Sequence, residues 1–599
     1  MRYSFYLLKT LYDVGFKRVI GRLLNDIKKI FFKTLPKKFL YLLLNLNSKT
    51  PKFRRVLNFL NELEFSSEEK NLAVNEISFL FLNQKKRLSI PIQWNSKRYS
   101  QLWRFNLHYF DWYREFLEIK LKTGKWTYNP KFLKLLIDDW ISNNRLGTGD
   151  GWHSYTISLR IRNWILLFRI FPEFSNQKRI DSLWQQICWL DINKEDYIGG
   201  NHWLENLISL IIGSLQFEGR KSKQIFEFAL NELEKELNHQ LLDDGGHYER
   251  SASYHLLILE RLIELGLILE NVNSLRPPWL ISVISKMINW SNSIRLSNGN
   301  FPIFNDSPDI SNNIDLIINY GICYLNRIIF VDKGIRNILT QIYTSTNEDN
   351  FQLAKKDRKN YLTKLLDTGW IIARDNKGLE LMLKVGDSCP KYLPAHAHSD
   401  LLSFDLYQNG IPIIVETGTS VYGNNKDRFY ERSAAAHNVF QLAPYSRNNK
   451  INWIEPIEVW GNFRAARKAK VLEKTCGIDD DGTIWIRGSN DSHLRFGARH
   501  LRTVYLNLSC ENKFYFKVID EVVCNKKMHW RQFWHLGPNQ SEDLFNEMIC
   551  KLKEQFELEE NWFFTWYSIG FGKRIRRKTL QLSGVIERGV HEFNNKLVI

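Results

Sequence analysis

A run of polar residues, Asn201-His-Trp-Leu-Glu205, directly follows a double glycine and could supply proton donors and acceptors where a helix begins. His202 and Glu205 are three residues apart and so share one helical face, while Asn201 is a candidate N-cap. The same residues could equally form a helix cap with a neighbouring carboxylate and a surface histidine. Residue type and spacing leave both interpretations open.

A second cluster, Gly-Gly-His247-Tyr-Glu-Arg-Ser-Ala-Ser-Tyr-His255, also begins a predicted helix after two glycines. Tyr248 and either Tyr254 or His255 fall on one face of that helix. Arg250 could favour a phenolate, which matters because an unperturbed tyrosine has a pKa of about 10. The alternative is aromatic packing with the hydroxyl bonded to the backbone.

Histidines and carboxylates gather again in the C-terminal half, in Pro-Ala-His396-Ala-His398-Ser-Asp400. Alternation along an extended segment places these three side chains on one face. Glu416 ends a following predicted strand, and His437 lies in the next apolar segment. His, Glu and His from three strands can hold zinc tetrahedrally with a water in the fourth position, so we predict a site here rather than satisfied surface histidines.

Aromatic and basic residues before the first cluster form a candidate sugar-binding surface. Trp152 and Arg160 represent it, since aromatic faces stack on sugar rings and arginine pairs with carboxylate or sulfate. Tyr248 and Arg250 join them as candidate substrate-binding residues. Core aromatics with arginines that reach the surface are the competing interpretation.

The elements that must position these residues change type along the chain. From about 100 to 350, apolar residues recur every three or four positions, which predicts a run of helices. After about 368, short β-branched and aromatic segments predict antiparallel strands, with Asn409-Gly410 as a type I′ hairpin turn. We predict an α+β multidomain protein with its site between the two parts. The expected divisions are a basic arm at 1–60, a helical domain at 61–365 and an antiparallel β domain at 366–599.

Length and composition bound the class of protein. The 599 residues exceed what one core supports, and 44% hydrophobic residues suit a globular protein. We see no apolar stretch long enough to cross a membrane and no CxxC pair among seven cysteines, so neither a transmembrane helix nor a disulfide framework is expected. Residues 1–60 carry 14 Lys and Arg against two Asp, which is most of the net charge of +18. A nucleic-acid partner is therefore not indicated for the body of the protein.

The arm itself interleaves Leu, Ile, Phe and Tyr with Lys and Arg at helical spacing. This pattern is typical of a basic amphipathic helix. It suits peripheral attachment to an anionic membrane surface, and equally a helical arm docked on the protein with a solvated basic face. The apolar core and small-residue cleavage site of a secretory signal are not evident.

Four ordered motifs resemble the heparinase II/III-like polysaccharide lyases and the related alginate lyases. They are NHWLEN, GGHYERSASYH, HAHSDLLSFDL followed by the Asn-Gly hairpin and VETGT, and RSAAAHNVF, and the resemblance spans about residues 95 to 590. It implies an N-terminal incomplete (α/α) toroid followed by an antiparallel β-sandwich. The implied reaction is β-elimination on an acidic, uronic-acid-containing polysaccharide.

The resemblance also implies roles for individual residues. Tyr254 would be the acid and, for syn elimination, also the base, with His396 as alternative base or charge neutraliser. Asn201, His202 and Glu205 would lie at the substrate carboxylate. A structural zinc or other divalent cation would map to a three-residue set, with Glu where relatives usually carry Asp: His398, Glu416 and His437. No organic cofactor is implied.

The resemblance leaves the biological setting and two other activities open. It implies a periplasmic location, while the lack of a clear signal peptide favours the cytoplasm or the inner membrane and a role in capsule or surface polysaccharide metabolism. An inverting glycoside hydrolase could draw its acid and base from Glu205, Glu249 or Asp306. A catalytically silent glycan-binding protein is the other alternative.

Overall fold

The computed structural model describes most of the chain. The described residues are 2–44, 46, 49–54, 76–123, 125–308, 311–326, 361–375, 378–447, 450–507 and 515–598. The expected domain boundary after residue 60 lies outside them. The boundary after residue 365 stays a prediction, although the first strand of the β part, β3 (Tyr361–Leu365), precedes it and pairs with the next strand.

The N-terminal part is helical, apart from one hairpin of β1 (Glu76–Phe81) and β2 (Gln84–Ser89). Its helices are α1 (Arg2–Val14), α2 (Phe16–Thr34), α3 (Lys37–Leu43), α4 (Gln101–Tyr109), α5 (Trp112–Thr123), α6 (Pro130–Asn143), α7 (Ser154–Ile170), α8 (Gln177–Ile192), α9 (Gly200–Ser214), α10 (Arg220–Gln240), α11 (Ala252–Asn273), α12 (Pro278–Ile294) and α13 (Ser311–Asn326). The predicted run of helices is confirmed.

The helices form two layers of a toroid. α7, α9 and α11 are buried almost throughout and form an inner layer in which α9 packs against both others. α8, α10 and α12 alternate with them along the chain and pack on their outer side. The inner helices have their first turns at the same end, because Tyr155 at the start of α7 stacks on His202 at the start of α9. Their polar first turns therefore meet.

The C-terminal part is built from antiparallel strands. They are β3 (Tyr361–Leu365), β4 (Trp370–Arg374), β5 (Leu379–Lys384), β6 (Phe404–Gln408), β7 (Ile411–Ile414), β8 (Phe440–Pro444), β9 (Ile457–Gly461), β10 (Arg464–Lys468), β11 (Val471–Ile478), β12 (Ile484–Asn490), β13 (Ala498–Asn507), β14 (Tyr515–Cys524), β15 (Met528–His535), β16 (Leu558–Gly570), β17 (Lys573–Ile586) and β18 (Gly589–Val598). Two short helices interrupt them, α14 (Lys426–Arg432) and α15 (Asn546–Gln555).

These strands form stacked sheets. The strand orders are β3-β4-β5-β6-β7, β16-β17-β15-β8 and β11-β12-β13-β14-β18, with β9 and β10 as a separate pair. Asn409 and Gly410 join β6 to β7 with φ of 51° and 74°, as a type I′ turn requires. The predicted hairpin is confirmed, and so is the toroid followed by a β-sandwich.

The first sheet lies between the two parts and is buried on both faces. In β4, Trp370 and Ile372 belong to the apolar core of the toroid, whereas Ile371 and Ala373 belong to the core of the sandwich. Successive side chains of a strand point to opposite faces, so this strand is apolar throughout rather than alternating. This shared sheet fixes the loops that follow it against the toroid.

Candidate active site

The start of α9 depends on two glycines in the left-handed region. Gly199 and Gly200 have φ of 74° and 62°. A Cβ on Gly200 would lie 2.3 Å from Oε1 of Glu249, so glycine leaves room for this carboxylate at the helix start. Oε1 accepts the backbone N–H of Asn201 at 2.7 Å. The N-cap is Gly199 and not Asn201, which corrects the sequence expectation.

Tyr254 of the toroid and His396 of the β part stack on each other. Their ring centroids are 4.0 Å apart with planes inclined by 33°. Ser251 caps α11 by accepting the N–H of Tyr254, which places the phenol in the first turn. Tyr254 is half-buried, and its hydroxyl lies 3.0 Å from that of Tyr422. The phenol and imidazole therefore meet as the elimination chemistry requires, while their chemical roles stay predictions.

His396 lies between two carboxylates. Its Nδ1 is 2.9 Å from Asp306 and its Nε2 is 3.2 Å from Glu249. Because carboxylate oxygens only accept, the hydrogen bond to Asp306 requires hydrogen on Nδ1, whereas the contact of Nε2 with Glu249 is an ion-pair distance. Glu249 is fixed in turn by the side-chain amide of Asn201, at 3.0 Å. The hydrogen bond to Asp306 therefore orients the ring, and Nε2 is the nitrogen that remains for the predicted role as base or charge neutraliser.

Asp306 links His396 to the loop that follows β7. Its carboxylate accepts from Nη2 of Arg428 at 2.7 Å, from Nε2 of His398 at 2.9 Å and from the hydroxyl of Thr419 at 3.0 Å. Burial would raise the pKa of Asp306, but the Arg428 guanidinium and the histidine hydrogen bonds hold it well below its ordinary value. The ionised carboxylate is thus a permanent acceptor for His396.

Burial also acts on Tyr254 itself. It raises the pKa of the phenol above its ordinary value, and Asp306 adds to this effect. The hydrogen bond from Tyr422 and the charge of Arg428 oppose it. Arg250, which we expected to favour a phenolate, does not face Tyr254. Its guanidinium donates to the backbone oxygens of Thr368 and Asp367 at 3.0 and 3.1 Å.

His202 lies beside this cluster and has its own acidic partner. Its Nδ1 is 3.2 Å from Glu195, and its ring stacks on Tyr155 with centroids 4.3 Å apart. Burial would lower the pKa of His202, but the Glu195 carboxylate raises it above its ordinary value. The pKa of Glu195 is held to about 2 against burial by His153 and His202. The contact with Glu195 therefore favours the charged form of the imidazole at the start of α9.

Glu205 points beneath the site into a buried ion network. It is 2% exposed, accepts a hydrogen bond from Arg162 and lies 3.5 Å from Nε of Arg261. Arg162 also binds Glu264. A carboxylate already matched by two guanidinium groups is not free to bind substrate, so Glu205 is better described as a support for the inner helices.

Two of the four expected substrate-binding residues belong to the core. Trp152 is 6% exposed, donates to the backbone oxygen of Asn144 and packs against Trp140. Arg160 is fully buried, stacks over Trp140, and donates to Gln186 and to the backbone oxygens of His108 and Gly151. Their burial removes both from any sugar-binding surface, which corrects the expectation.

Tyr248 lies nearer to the site, but its hydroxyl group already has two hydrogen-bond partners. Its hydroxyl accepts the N–H of Gly200 at 2.9 Å and a hydrogen bond from Tyr392 at 3.2 Å, and the residue is 5% exposed. It therefore holds the glycine turn before α9. Like Arg250, it positions backbone and is not placed to contact substrate.

Behind His396 lies a second cluster, the buried pocket, formed by His398, Asp400, Glu416 and His437. Candidate ligand atoms of Asp400, Glu416 and His437 lie within 4.8 Å of one another. Each residue of the pocket has one buried polar atom without a hydrogen-bond partner, namely Nδ1 of His398, Oδ2 of Asp400, Oε1 of Glu416 and Nε2 of His437. Unpartnered buried atoms are costly, so a cation fits this pocket.

The pocket differs in two ways from the expected set of His398, Glu416 and His437. Asp400 completes the compact group, whereas His398 uses its Nε2 on Asp306 and stands with its ring centroid 5.4 Å from that of His437. Lys384 already supplies one positive charge, 2.5 Å from Asp400.

Sequence reasoning missed several residues that hold the site together. Glu195, Tyr422 and Arg428 stand alone in loops or in short helix α14, with no motif around them. Asp306 was considered only as a hydrolase carboxylate. A useful signal would be charged residues in turns that are otherwise apolar, as in the segment Phe301-Pro-Ile-Phe-Asn-Asp306.

Family models cover most of the chain. The model described as Heparinase II/III N-terminus matches residues 43–322, and the model described as Heparinase II/III-like, C-terminal matches residues 357–582. A heparin-sulfate lyase from Bacteroides stercoris is 21% identical over 532 residues, which cover 80% of this chain and 72% of that protein.

Solved structures share the fold. A crystal structure of heparinase III aligns with a TM-score of 0.64 and 18% identity, covering 85% of this chain and 79% of that one. A mutant of heparan sulfate lyase HepC from Pedobacter heparinus aligns with a TM-score of 0.56 and 19% identity, covering 86% and 79%. At these identities the likeness concerns the arrangement of toroid and sandwich.

Proposed function

This chain belongs to the heparinase II/III-like family of polysaccharide lyases, and we propose that it cleaves a uronic-acid-containing polysaccharide by β-elimination. One observation carries the proposal. Tyr254 from the toroid and His396 from the β part are stacked 4.0 Å apart, with a charged network behind them. A phenol beside an imidazole suits this reaction, because one group can transfer the proton while the other neutralises charge.

The first requirement is to neutralise charge. Removing the C5 proton next to a carboxylate places a second negative charge on that end of the sugar. Preorganised donors lower this cost by roughly 3 kcal/mol each. The donors we assign to this task are Nε2 of His396, whose Nδ1 is held by Asp306, and His202, whose pKa Glu195 raises. Asn201 holds Glu249 in place behind His396.

The second requirement is proton transfer. The C5–H bond breaks, its electron pair forms the C4=C5 double bond, and the C4–O bond breaks as the leaving oxygen takes a proton. Tyr254 rests as a neutral phenol because burial raises its pKa. In the syn reaction the phenol first loses its proton to solvent, and the phenolate beside His396 then takes the C5 proton. The phenol formed in this way gives that proton to the leaving oxygen, which regenerates the phenolate.

A hydrolase is less well supported. Inverting glycosidases need one protonated and one free carboxylate on opposite sides of the bond that breaks. Glu249 and Asp306 both bind His396, and Glu205 binds Arg162. None of these three carboxylates is free to act on a sugar.

We also propose that the buried pocket binds a divalent cation such as zinc. Glu416 and His437 would hold it together with Asp400, since ligand atoms of these three residues lie within 4.8 Å of one another, or with His398, whose Nδ1 has no hydrogen-bond partner. The cation would supply positive charge that fixes the loop carrying His396. No proton transfer is assigned to it.

For the substrate we propose a class of polymer and not a single polymer. The similarity to a heparin-sulfate lyase from Bacteroides stercoris, together with the histidines of the candidate site, supports a glycosaminoglycan or another acidic polysaccharide. We include capsule and other surface polysaccharides, in synthesis or trimming as well as in catabolism.

A polymer panel tests the proposal. Purified protein is incubated with heparin, heparan sulfate, chondroitin sulfate, hyaluronan, alginate and host capsule fractions. A lyase produces reducing ends together with the ultraviolet absorbance of an unsaturated uronate. Reducing ends without that absorbance would indicate a hydrolase and overturn the proposal. Polymer binding without product under any condition would indicate a silent glycan-binding protein.

A further inference from the structure

Residues 2–44 of the N-terminal arm expose apolar side chains on the surface turned away from the rest of the protein. Fourteen of the thirty exposed large apolar side chains in the described part of the chain lie in these 43 residues. They are Phe5, Leu7, Leu8, Leu11, Tyr12, Phe16, Leu23, Leu24, Ile27, Ile30, Phe31, Phe39, Leu42 and Leu43. Soluble monomers rarely carry a contiguous apolar patch of this extent.

The amphipathic pattern of the arm is inverted with respect to a docked helix. In α1, Leu8 and Tyr12 are 66% and 71% exposed, whereas Thr10 and Asp13 face the protein. Thr10 accepts from Nε1 of Trp460, and Asp13 binds Lys468 at 2.8 Å. A helix that only packs against its own protein turns its apolar stripe inward.

The second helix repeats the inversion. Phe16, Leu24 and Ile27 of α2 are 80%, 60% and 61% exposed. The opposite side carries Asn25, which is buried and donates to Tyr197 at 2.8 Å, and Arg18, which stacks 3.4 Å from the ring centroid of Tyr392. Two successive helices thus present one apolar surface outward while polar contacts hold them in place.

We propose that this apolar surface of the arm binds an anionic membrane surface, with α1 and α2 lying in the interface. The exposed charges complement such a surface, because Lys17, Arg22 and Lys38 border the apolar stripe and Asp26 is the one exposed acidic residue in the described part of the arm. Each basic residue near anionic lipid strengthens binding about fivefold. A second copy on the same face would bring these cations together, which disfavours a dimer.

The binding is interfacial. No helix among the described residues has both the length and the hydropathy to cross a bilayer. The arm is anchored on both parts of the protein, since α1 packs on β10 and Phe32 of α2 packs against Trp189 of the toroid at 5.3 Å. Membrane binding would therefore orient the whole molecule.

The orientation places the active site near the lipid. Arg18 of the arm contacts Tyr392, whose hydroxyl donates to Tyr248 at 3.2 Å, and Tyr248 accepts from Gly200 at the start of α9. The arm is therefore two side chains away from the candidate site. Membrane binding itself does not depend on the proposed lyase activity, so the two proposals fail separately.

Vesicle sedimentation of the full chain tests the inference. We expect binding to phosphatidylcholine vesicles that contain phosphatidylglycerol, weaker binding to pure phosphatidylcholine, and a decline with added salt. The triple variant Leu8→Glu, Leu24→Glu, Ile27→Glu should weaken the partition to anionic vesicles at least about tenfold, since it places three carboxylates in the interface.

A matched triple variant provides the control. Leu80→Glu, Ile411→Glu and Val590→Glu change residues with 65%, 60% and 76% exposure elsewhere on the surface, and should leave vesicle binding unchanged. Circular dichroism verifies that both triple variants fold. Absence of wild-type binding to anionic vesicles, or equal loss in the two variants, would overturn the inference. So would a wild-type dimer that the arm variant dissociates while no vesicles are bound.

Discussion

The candidate active site and the buried pocket behind it are built from the same residue types but differ in how their polar atoms are satisfied. In the active site, both nitrogens of His396 have carboxylate partners and Tyr254 next to it is half-buried. In the pocket, two residues further along the chain, Nδ1 of His398 has no partner, and neither has Nε2 of His437.

This difference is the reason why we propose a separate role for each cluster. His396 already has a carboxylate beside each ring nitrogen, so the role that we propose for it needs no rearrangement of the ring. The buried pocket has unpartnered ligand atoms, which is why we propose that a small cation binds there. We therefore propose that one cluster serves the reaction and the other serves stability, and variants in each cluster test this distinction.

The largest expected effect is the loss of the reacting phenol. Tyr254→Phe should lower kcat/KM on the responsive polymer at least about a hundredfold, equivalent to about 2.7 kcal/mol of barrier, with an unchanged unfolding transition. Tyr248→Phe is the matched control because that hydroxyl accepts the N–H of Gly200, and it should cost less than about tenfold. Similar losses in the two variants would contradict the role of Tyr254.

The next effect concerns the carboxylate that orients His396. Asp306→Asn should lower kcat about ten- to a hundredfold, more than it changes KM, because the imidazole loses its anionic partner. It should also destabilise the fold by about 3 kcal/mol, since Arg428 is left buried without its charge partner.

A variant at a carboxylate far from the site separates the loss of kcat from the loss of stability. Asp520 binds Arg502 at 2.7 Å and His500 at 2.7 Å inside the sandwich. Asp520→Asn should cost comparable stability in denaturant titration and leave kcat nearly unchanged at a temperature where both variants are folded. A matching loss of kcat would mean that Asp306 acts through stability alone.

On the pocket side, the expected effect is on stability. A chelator should lower the Tm of the wild type, and added zinc should restore it, because binding to the native state stabilises it. Glu416→Gln should cost about 1 to 3 kcal/mol and abolish the response to zinc. A Tm that neither chelator nor zinc changes would mean that Lys384 alone balances the pocket.

The smallest effect is the pH dependence from His202. Its pKa is raised in the folded state, so the stability it contributes is fully present below its unfolded pKa of about 6.5 and is lost as pH rises through the folded pKa. His202→Gln should therefore reduce the unfolding free energy more at pH 6 than at pH 9, by on the order of 0.5 kcal/mol after solvent screening. His591→Gln, which changes a half-buried histidine on β18, serves as control. An equal reduction at both pH values would contradict the assigned charge.

Much of the architecture followed from periodicity. A spacing of three and four predicted the inner helices, and the Asn409-Gly410 dipeptide predicted a turn that the structure contains. These signals are local, because each depends on a residue and its near neighbours. The motifs around Tyr254 and His396 indicated the family. The prediction that these two residues lie in one site came from that resemblance and not from their spacing in the sequence.

The sequence did not predict which side chains are buried by residues far away in the chain. Trp152 and Arg160 have the composition of a sugar-binding surface, yet the toroid encloses both. The arm presents the opposite case, since its polar stripe docks and its apolar stripe is exposed. An amphipathic pattern indicates that the two faces of a helix differ in polarity. Which face contacts the protein and which faces solvent is decided by tertiary packing.

The sequence by itself determined the order of helices and strands, the glycine turn before α9, the hairpin and the family, because each is written in short-range pattern. Tertiary structure alone decided that Asp306 and Glu249 hold His396 from two sides, and that Asp400 joins Glu416 and His437 in one pocket. The reason is physical. Charge and protonation depend on which groups face each other across tens or hundreds of residues, and only the packed sheet between the two parts fixes those distances.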